Sequence, residues 1–157
     1  MPGSLTAQAV RPIELGIDAG ISFSLDDPKV TVVSLPAQSF RIGFFITDRI
    51  SLEPKVSLMS ISGGGERLTL WSAELGVPIH LRVNPIGRGF YVRPFGGGAG
   101  ASGGGESASG GYAGIGLGSK FGLHDRLATR IEGNYTISFE DDSHALSLLL
   151  GLSFFTR

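Results

Sequence analysis

From Ile13 to Phe23 the chain alternates without a break. Ile13, Leu15, Ile17, Ala19, Ile21 and Phe23 are apolar, and Glu14, Gly16, Asp18, Gly20 and Ser22 between them are small or polar. A helix repeats every 3.6 residues or so and cannot hold this pattern on one face. Successive side chains of a strand point to opposite sides of a sheet and produce it directly. The segment reads as a strand with one apolar face, and its span matches the roughly 9–11 residues that a tilted strand uses to cross a bilayer.

The alternation recurs with turn signals between. Phe40, Ile42, Phe44 and Ile46 face away from Arg41, Gly43, Phe45 and Thr47, closing at Thr47-Asp48-Arg49. Ile50, Leu52, Val56 and Leu58 oppose Ser51, Glu53, Lys55 and Ser57. Trp71, Ala73, Leu75, Val77, Ile79 and Leu81 oppose Ser72, Glu74, Gly76 and His80. Phe90 to Ala99 reads as a fifth strand whose phase is blurred by Pro94 and three glycines. Ala113, Ile115, Leu117 and Phe121 then alternate with Gly114, Gly116, Gly118 and Lys120. Leu127, Thr129, Ile131, Tyr135 and Ile137 alternate with Ala128, Arg130, Glu132 and Asn134. Leu146, Leu148, Leu150, Leu152 and Phe154 close a series of about eight strands. Pro54 and Pro78 each remove a ladder donor and mark a bulge or strand end. The longest connections are expected at about Leu25 to Gln38 and Gly100 to Gly111, with tight turns at Asp48 and His124-Asp125. Long loops would then share one rim and short turns the other.

Alternation alone fits a soluble sandwich or a lipocalin-like barrel equally well. The other face decides. A water-facing side should be rich in Lys, Glu and Thr, whereas this one carries Gly16, Gly20, Gly43, Gly76, Gly114, Gly116, Gly118 and Gly151 among single charges, in a chain with 25 glycines. Glycine weakens a strand unless close approach demands it, and the interior of an eight-stranded barrel is only just wide enough for side chains. The charges on this face are mixed in sign: Glu14, Asp18, Arg41, Glu53, Lys55, Glu74, Lys120, Arg130 and Glu132. They are expected to pair inside the lumen, because an unpaired buried charge is costly. The expected fold is all-β: an antiparallel up-and-down barrel with its apolar face outward. Ile13, Leu15, Ile17, Phe44, Trp71, Leu75, Ile131, Leu148 and Phe154 would face lipid or a partner, with aromatic residues near the strand ends.

Charged residues make up 17% of the chain and the formal net charge is −1, which leaves no footprint for nucleic acid. The sequence holds 0 cysteines, excluding disulfides and thiolate chemistry. No run approaches the ~18–20 apolar residues of a membrane helix, a test to which a membrane barrel is indifferent. Residues 1–11 are expected to be an extension or signal remnant (Ala7-Gln8-Ala9 has the look of a signal-peptidase site), and residues 12–157 the barrel domain.

The stretch Gly111-Tyr112-Ala113-Gly114-Ile115-Gly116-Leu117-Gly118-Ser119-Lys120-Phe121-Gly122-Leu123, followed by His124-Asp125-Arg126-Leu127-Ala128-Thr129-Arg130-Ile131-Glu132-Gly133-Asn134-Tyr135, resembles the second half of small bacterial outer-membrane barrels, the OmpA-like and opacity-type domains. Phe40 to Ser57 is similar to an earlier hairpin of that group. The resemblance implies a bacterial outer-membrane location and a barrel without a following periplasmic domain. Such barrels usually end on a terminal Phe, whereas Phe154-Phe155 here precede Thr156-Arg157.

Catalytic chemistry is sparse. Gly98-Ala99-Gly100-Ala101-Ser102-Gly103 matches the dinucleotide fingerprint by letter, but no helical periodicity follows it to aim amides at a pyrophosphate, and it reads as a flexible loop. His80 shares the lumen face, His124 lies in a turn and His144 starts the last strand. Some barrels of this kind are lipid-modifying hydrolases, yet His144 and Ser147 are three apart and fall on opposite strand faces, with Glu140 nearby. Asp26-Asp27 and Glu140-Asp141-Asp142 could meet divalent ions from loops of one rim, although solvated loop charges explain them as well. Asn134-Tyr135-Thr136 is a formal sequon in mid-strand. The expectation is a non-enzymatic barrel with a plugged lumen and a structural or adhesive role. It has no cofactor, metal, nucleic-acid partner or identified small-molecule substrate, and outer-membrane lipid or detergent covers its exterior. Two alternatives stand beside it: a secreted homo-oligomeric assembly whose apolar exterior packs on identical copies, and a lipid-modifying hydrolase.

Overall fold

The computed structural model describes residues 11–26, 31–63, 66–82 and 88–156. The expectations for residues 1–11 as an extension lie almost wholly outside the described residues, as does the Asp27 half of the Asp26-Asp27 pair.

Among the described residues nine strands form one sheet: β1 (Ile13–Ser24), β2 (Thr31–Phe45), β3 (Ser51–Gly63), β4 (Glu66–Gly76), β5 (Ile79–His80), β6 (Gly89–Gly103), β7 (Glu106–His124), β8 (Leu127–Ser138) and β9 (His144–Phe155). All pairings are antiparallel. The sheet closes on itself, because β1 pairs with β9 from Glu14↔Phe155 to Ser24↔Ala145 and β4 pairs with β6 from Leu68↔Gly103 to Gly76↔Phe95. The ring has eight staves. Pro78 interrupts one of them, and the short β5 continues β4 along the same neighbour, with Ile79↔Val92 and His80↔Tyr91. Closure leaves the ring without a free sheet edge, which is how such a structure satisfies its backbone in lipid.

The prolines act locally. Ladder pairing of β2 with β3 runs through Phe40↔Val56 and Arg41↔Lys55 and resumes at Phe44↔Leu52. The gap spans Pro54, which has no N–H to give. At the end of β4, Val77 N–H donates to the Pro94 carbonyl at 2.9 Å, so the strand pairs up to the break.

Both expected long loops prove to be mostly strand. β2 begins at Thr31 rather than near Phe40, and the segment read as a loop from Gly100 to Gly111 is a continuous hairpin. It is paired from Gly89↔Lys120 to Gly103↔Glu106 and turns through Gly104 and Gly105 at φ 59° and 87°. Only glycine takes such angles freely. The Gly98–Gly103 fingerprint therefore lies in β6, not in a flexible loop.

The two ends of the barrel are distinct. One, the terminal rim, carries the start of β1, the end of β9, the turns at 46–50 and 125–126, and the residues that flank the β5–β6 connection. The far rim carries the remaining connections. Phe45, Ala128 and Phe155 form an apolar cluster inside the terminal rim, and His80 stacks on Phe45 with ring centroids 5.7 Å apart.

Candidate functional site

Residues of even number on β1 point inward, as the alternation requires: Glu14 and Asp18 are buried while Ile13, Leu15 and Ile17 are exposed. The same inversion runs round the ring. Arg41, Arg93 and Arg130 are among the largest fully buried side chains, and Phe44, Trp71, Leu75, Ile131, Leu148 and Phe154 stand exposed on the outside. Such a protein carries a polar core in an apolar coat.

Five carboxylates, Glu14, Asp18, Glu53, Glu74 and Glu132, meet five cations, Arg41, Lys55, Arg93, Lys120 and Arg130. The lumen is thus formally neutral and holds all nine of the lumen residues read from the sequence. Arg41 on β2 pairs with Glu14, lies 3.0 Å from Asp18 and 3.3 Å from Glu53, and donates to Ser153 Oγ at 2.6 Å. Lys120 Nζ lies 2.5 Å from Glu14 Oε2, joining β7 to β1. Glu53 is the hub: Arg130 Nη1 donates to both of its oxygens, at 2.8 and 2.9 Å, from across the bore on β8. Toward the far rim Glu74 takes Arg93 at 2.5 Å and Lys55 at 3.0 Å. Glu132 receives Arg93 at 2.8 Å, Arg130, and the Tyr91 hydroxyl at 2.7 Å.

The inward glycines make room for this cluster. A Cβ on Gly16 would collide with the Arg41 guanidinium, one on Gly118 with the Tyr91 ring and hydroxyl, and one on Gly151 with the Asp18 carboxylate. At Gly76 it would lie 2.5 Å from Arg93 Nη1, and at Gly43 3.1 Å from the Glu14 Cβ. Each long side chain lies over a bare stretch of neighbouring strand, the close approach for which a strand tolerates glycine.

Sequence reasoning missed Arg93, Tyr91 and Tyr112. All three face the lumen: Arg93 sits over the Phe95 ring at 4.5 Å, and Tyr112 Oη reaches Glu74 Oε2 at 3.3 Å. The signal was the parity of β6, where Tyr91, Arg93 and Phe95 are buried and Phe90 and Pro94 are exposed. Apolar residues on both faces hide it.

His144 stacks on Tyr135 at 5.8 Å, and its Nδ1 meets the Tyr135 hydroxyl at 2.7 Å on the exposed face. Ser147 pairs with lumen-facing Asn134, so the two point apart, and Glu140 is exposed at the far rim. His124 ends β7, and Asp26 accepts a hydrogen bond from the His144 backbone N–H. Among the described residues no group of His and acidic side chains could hold a metal ion. Asn134 is buried in β8, which removes it as a glycan acceptor in the folded chain.

No family profile and no curated protein matches this sequence. Solved structures do. The Yersinia pestis attachment invasion locus protein Ail, in complex with the heparin analogue sucrose octasulfate, superposes with a TM-score of 0.57 at 12% identity, over 92% of this chain and 98% of that one. Neisserial surface protein A gives 0.58 at 12% identity, covering 90% and 96%. The outer membrane protein AlkL, solved in lipid bilayers, gives 0.53 at 11% identity, covering 100% and 97%. The chain has the fold of the small eight-stranded outer-membrane barrels.

Proposed function

We propose that this protein is a non-enzymatic bacterial outer-membrane barrel with a closed lumen, serving the envelope structurally or through its far-rim loops. The carrying observation is the neutral ion cluster across the bore, in which Glu53 on β3 is bonded to Arg130 on β8. An interior filled this way has no continuous water path.

The exterior supports a lipid surround. Exposed large apolar residues occur on all the long strands, with Ile17, Trp71, Leu117 and Leu150 as examples, whereas a soluble monomer rarely exposes an apolar patch beyond a few hundred Å². The 12 residues of β1, at ~3.3 Å each and tilted by ~45°, cover about 28 Å along the membrane normal. That slightly exceeds the ~25 Å height of the apolar band of such barrels. We place the terminal rim toward the periplasm, opposite the rim from which the long β6–β7 hairpin extends.

Ail is by name an attachment protein. An adhesive role for the far rim of this chain would meet different chemistry from a polysulfate, because Glu106, Glu140, Asp141 and Asp142 are exposed there.

Flotation and solute flux test the reading together. The refolded protein should float with lipid vesicles after an alkaline wash and pass no small sugars in a swelling assay. Release as large assemblies without detergent would favour the self-packed exterior instead, and sugar flux would overturn the closed lumen.

A further inference from the structure

Among the described residues the two rims carry opposite charge. Arg11, Arg49, Arg82, Arg88 and Arg126 all lie at the terminal rim, outside the strands, in the company of Asp48 and Asp125. The far rim has the reverse balance, with Asp26, Glu106, Glu140, Asp141 and Asp142 against Arg67, which is hydrogen-bonded to Ser60 at 2.8 Å. Among the described residues none of the five terminal-rim arginines forms an ion pair with a carboxylate, although all ten lumen charges do. Arg88 spends one nitrogen on the His124 carbonyl, and its Nε is buried without a partner among the described residues.

Directly above these arginines the wall is apolar. Ile46, Leu81, Phe90 and Leu123 are exposed, three of them by more than 60%. Long cationic side chains beside such a collar lay their stems on the apolar surface and hold their heads at the level of lipid phosphates. Guanidinium matches phosphate oxygens in a bidentate fork.

We infer that the terminal rim is a contact belt for anionic phospholipid headgroups, with the unpaired arginines as its phosphate ligands. The inference rests on the membrane reading above and names the lipid class at one of its two faces. The acidic far rim offers no such contact, so the preference belongs to one leaflet.

Spin-labelled lipids test it in vesicles of neutral phosphatidylcholine containing the folded full-length chain. The wild-type protein should immobilise phosphatidylglycerol roughly threefold more than phosphatidylcholine at low salt. That ratio should fall toward one in about 0.5 M salt and in the combined Arg49→Gln, Arg82→Gln, Arg126→Gln variant. Glu140→Gln with Asp142→Asn should leave it in place. Equal immobilisation of the two lipids by the wild type overturns the belt, as does a preference that survives both salt and the arginine changes. Protein that does not float with vesicles overturns the membrane reading itself, an outcome separate from the loss of selectivity alone.

Discussion

Glu53 and Arg130 lie 77 residues apart in the chain, yet one guanidinium nitrogen of Arg130 bonds both oxygens of the Glu53 carboxylate inside the barrel. Both side chains are buried, Arg130 with 1% and Glu53 with 0% of its side-chain surface exposed. Removing one member of such a pair leaves the other charge buried, which costs about 3–5 kcal/mol. Glu53→Gln should therefore lower the unfolding free energy by about that amount. Urea titration of the refolded protein, followed by its heat-dependent gel migration, reads the change directly, and a loss below about 1 kcal/mol would show that the pair is not isolated from water.

Gly118 and Gly133 make a matched pair. The first lies under Tyr91, which is held by its bond to Glu132, and the second has nothing within 4 Å of where a Cβ would stand. Gly118→Ala should cost about 1–3 kcal/mol through overpacking, while Gly133→Ala should stay within about 0.5 kcal/mol of the wild type. Equal effects in the same unfolding assay would contradict the inward placement of Tyr91.

Depth should matter on the outer wall. Leu150 lies mid-strand on β9 and Phe90 lies at the terminal-rim end of β6, both exposed. In a bilayer Leu150→Arg should cost about 2–4 kcal/mol and Phe90→Arg no more than about 1. An exterior covered by identical copies would show no such gradient with depth, so stability measured at the two sites in vesicles discriminates between the surrounds.

The β8–β9 connection should respond to acid. Asp141 is held below the ordinary Asp range by hydrogen bonds from the Ser143 and Ser138 side chains and from the Ser143 backbone, the last at 3.2 Å. A depressed carboxylate stabilises its folded arrangement above the unfolded-state value and loses that contribution as pH falls through the folded-state value. The Ser143 amide resonance should titrate below the usual Asp range, and Asp141→Asn should abolish the transition. A midpoint at or above the ordinary value would refute the bonded turn.

The next residue carries a separate test. Asp142 takes a left-handed backbone at φ 49°, which costs L-residues free energy that glycine avoids. Asp142→Gly should be neutral to stabilising by up to about 1 kcal/mol in thermal unfolding, and a clear loss would indicate that its side chain bonds the turn.

What could be read from residues alone followed from periodicity. Glu14, Gly16 and Asp18 announce their face because Ile13, Leu15 and Ile17 leave no ambiguity. Arg93 was hidden because Phe90, Tyr91 and Val92 are all apolar and Pro94 follows, so neither face of β6 stands out. The segment from Gly100 to Gly111 misled in a different way. Glycine and serine density signals a loop, but Gly100 to Gly103 pair on both sides, with β4 and with β7, and that backbone pairing carries the exposed hairpin on as strand. Partnerships such as Lys120 with Glu14 depend on which strands become opposite after closure, and no local pattern encodes that.

The lumen pairs have a kinetic meaning as well. Arg41 with Glu14 and Lys55 with Glu74 join neighbouring strands, whereas Lys120 with Glu14 joins β7 to β1 and Arg130 with Glu53 joins β8 to β3 across the bore. A partly assembled ring would bring unmatched ions into a medium that cannot solvate them. Until the ring closes, the Lys120–Glu14 and Arg130–Glu53 pairs are unmade. Closing the ring is thus the step that completes the charge cancellation, so circularisation and the burial of these ions are coupled.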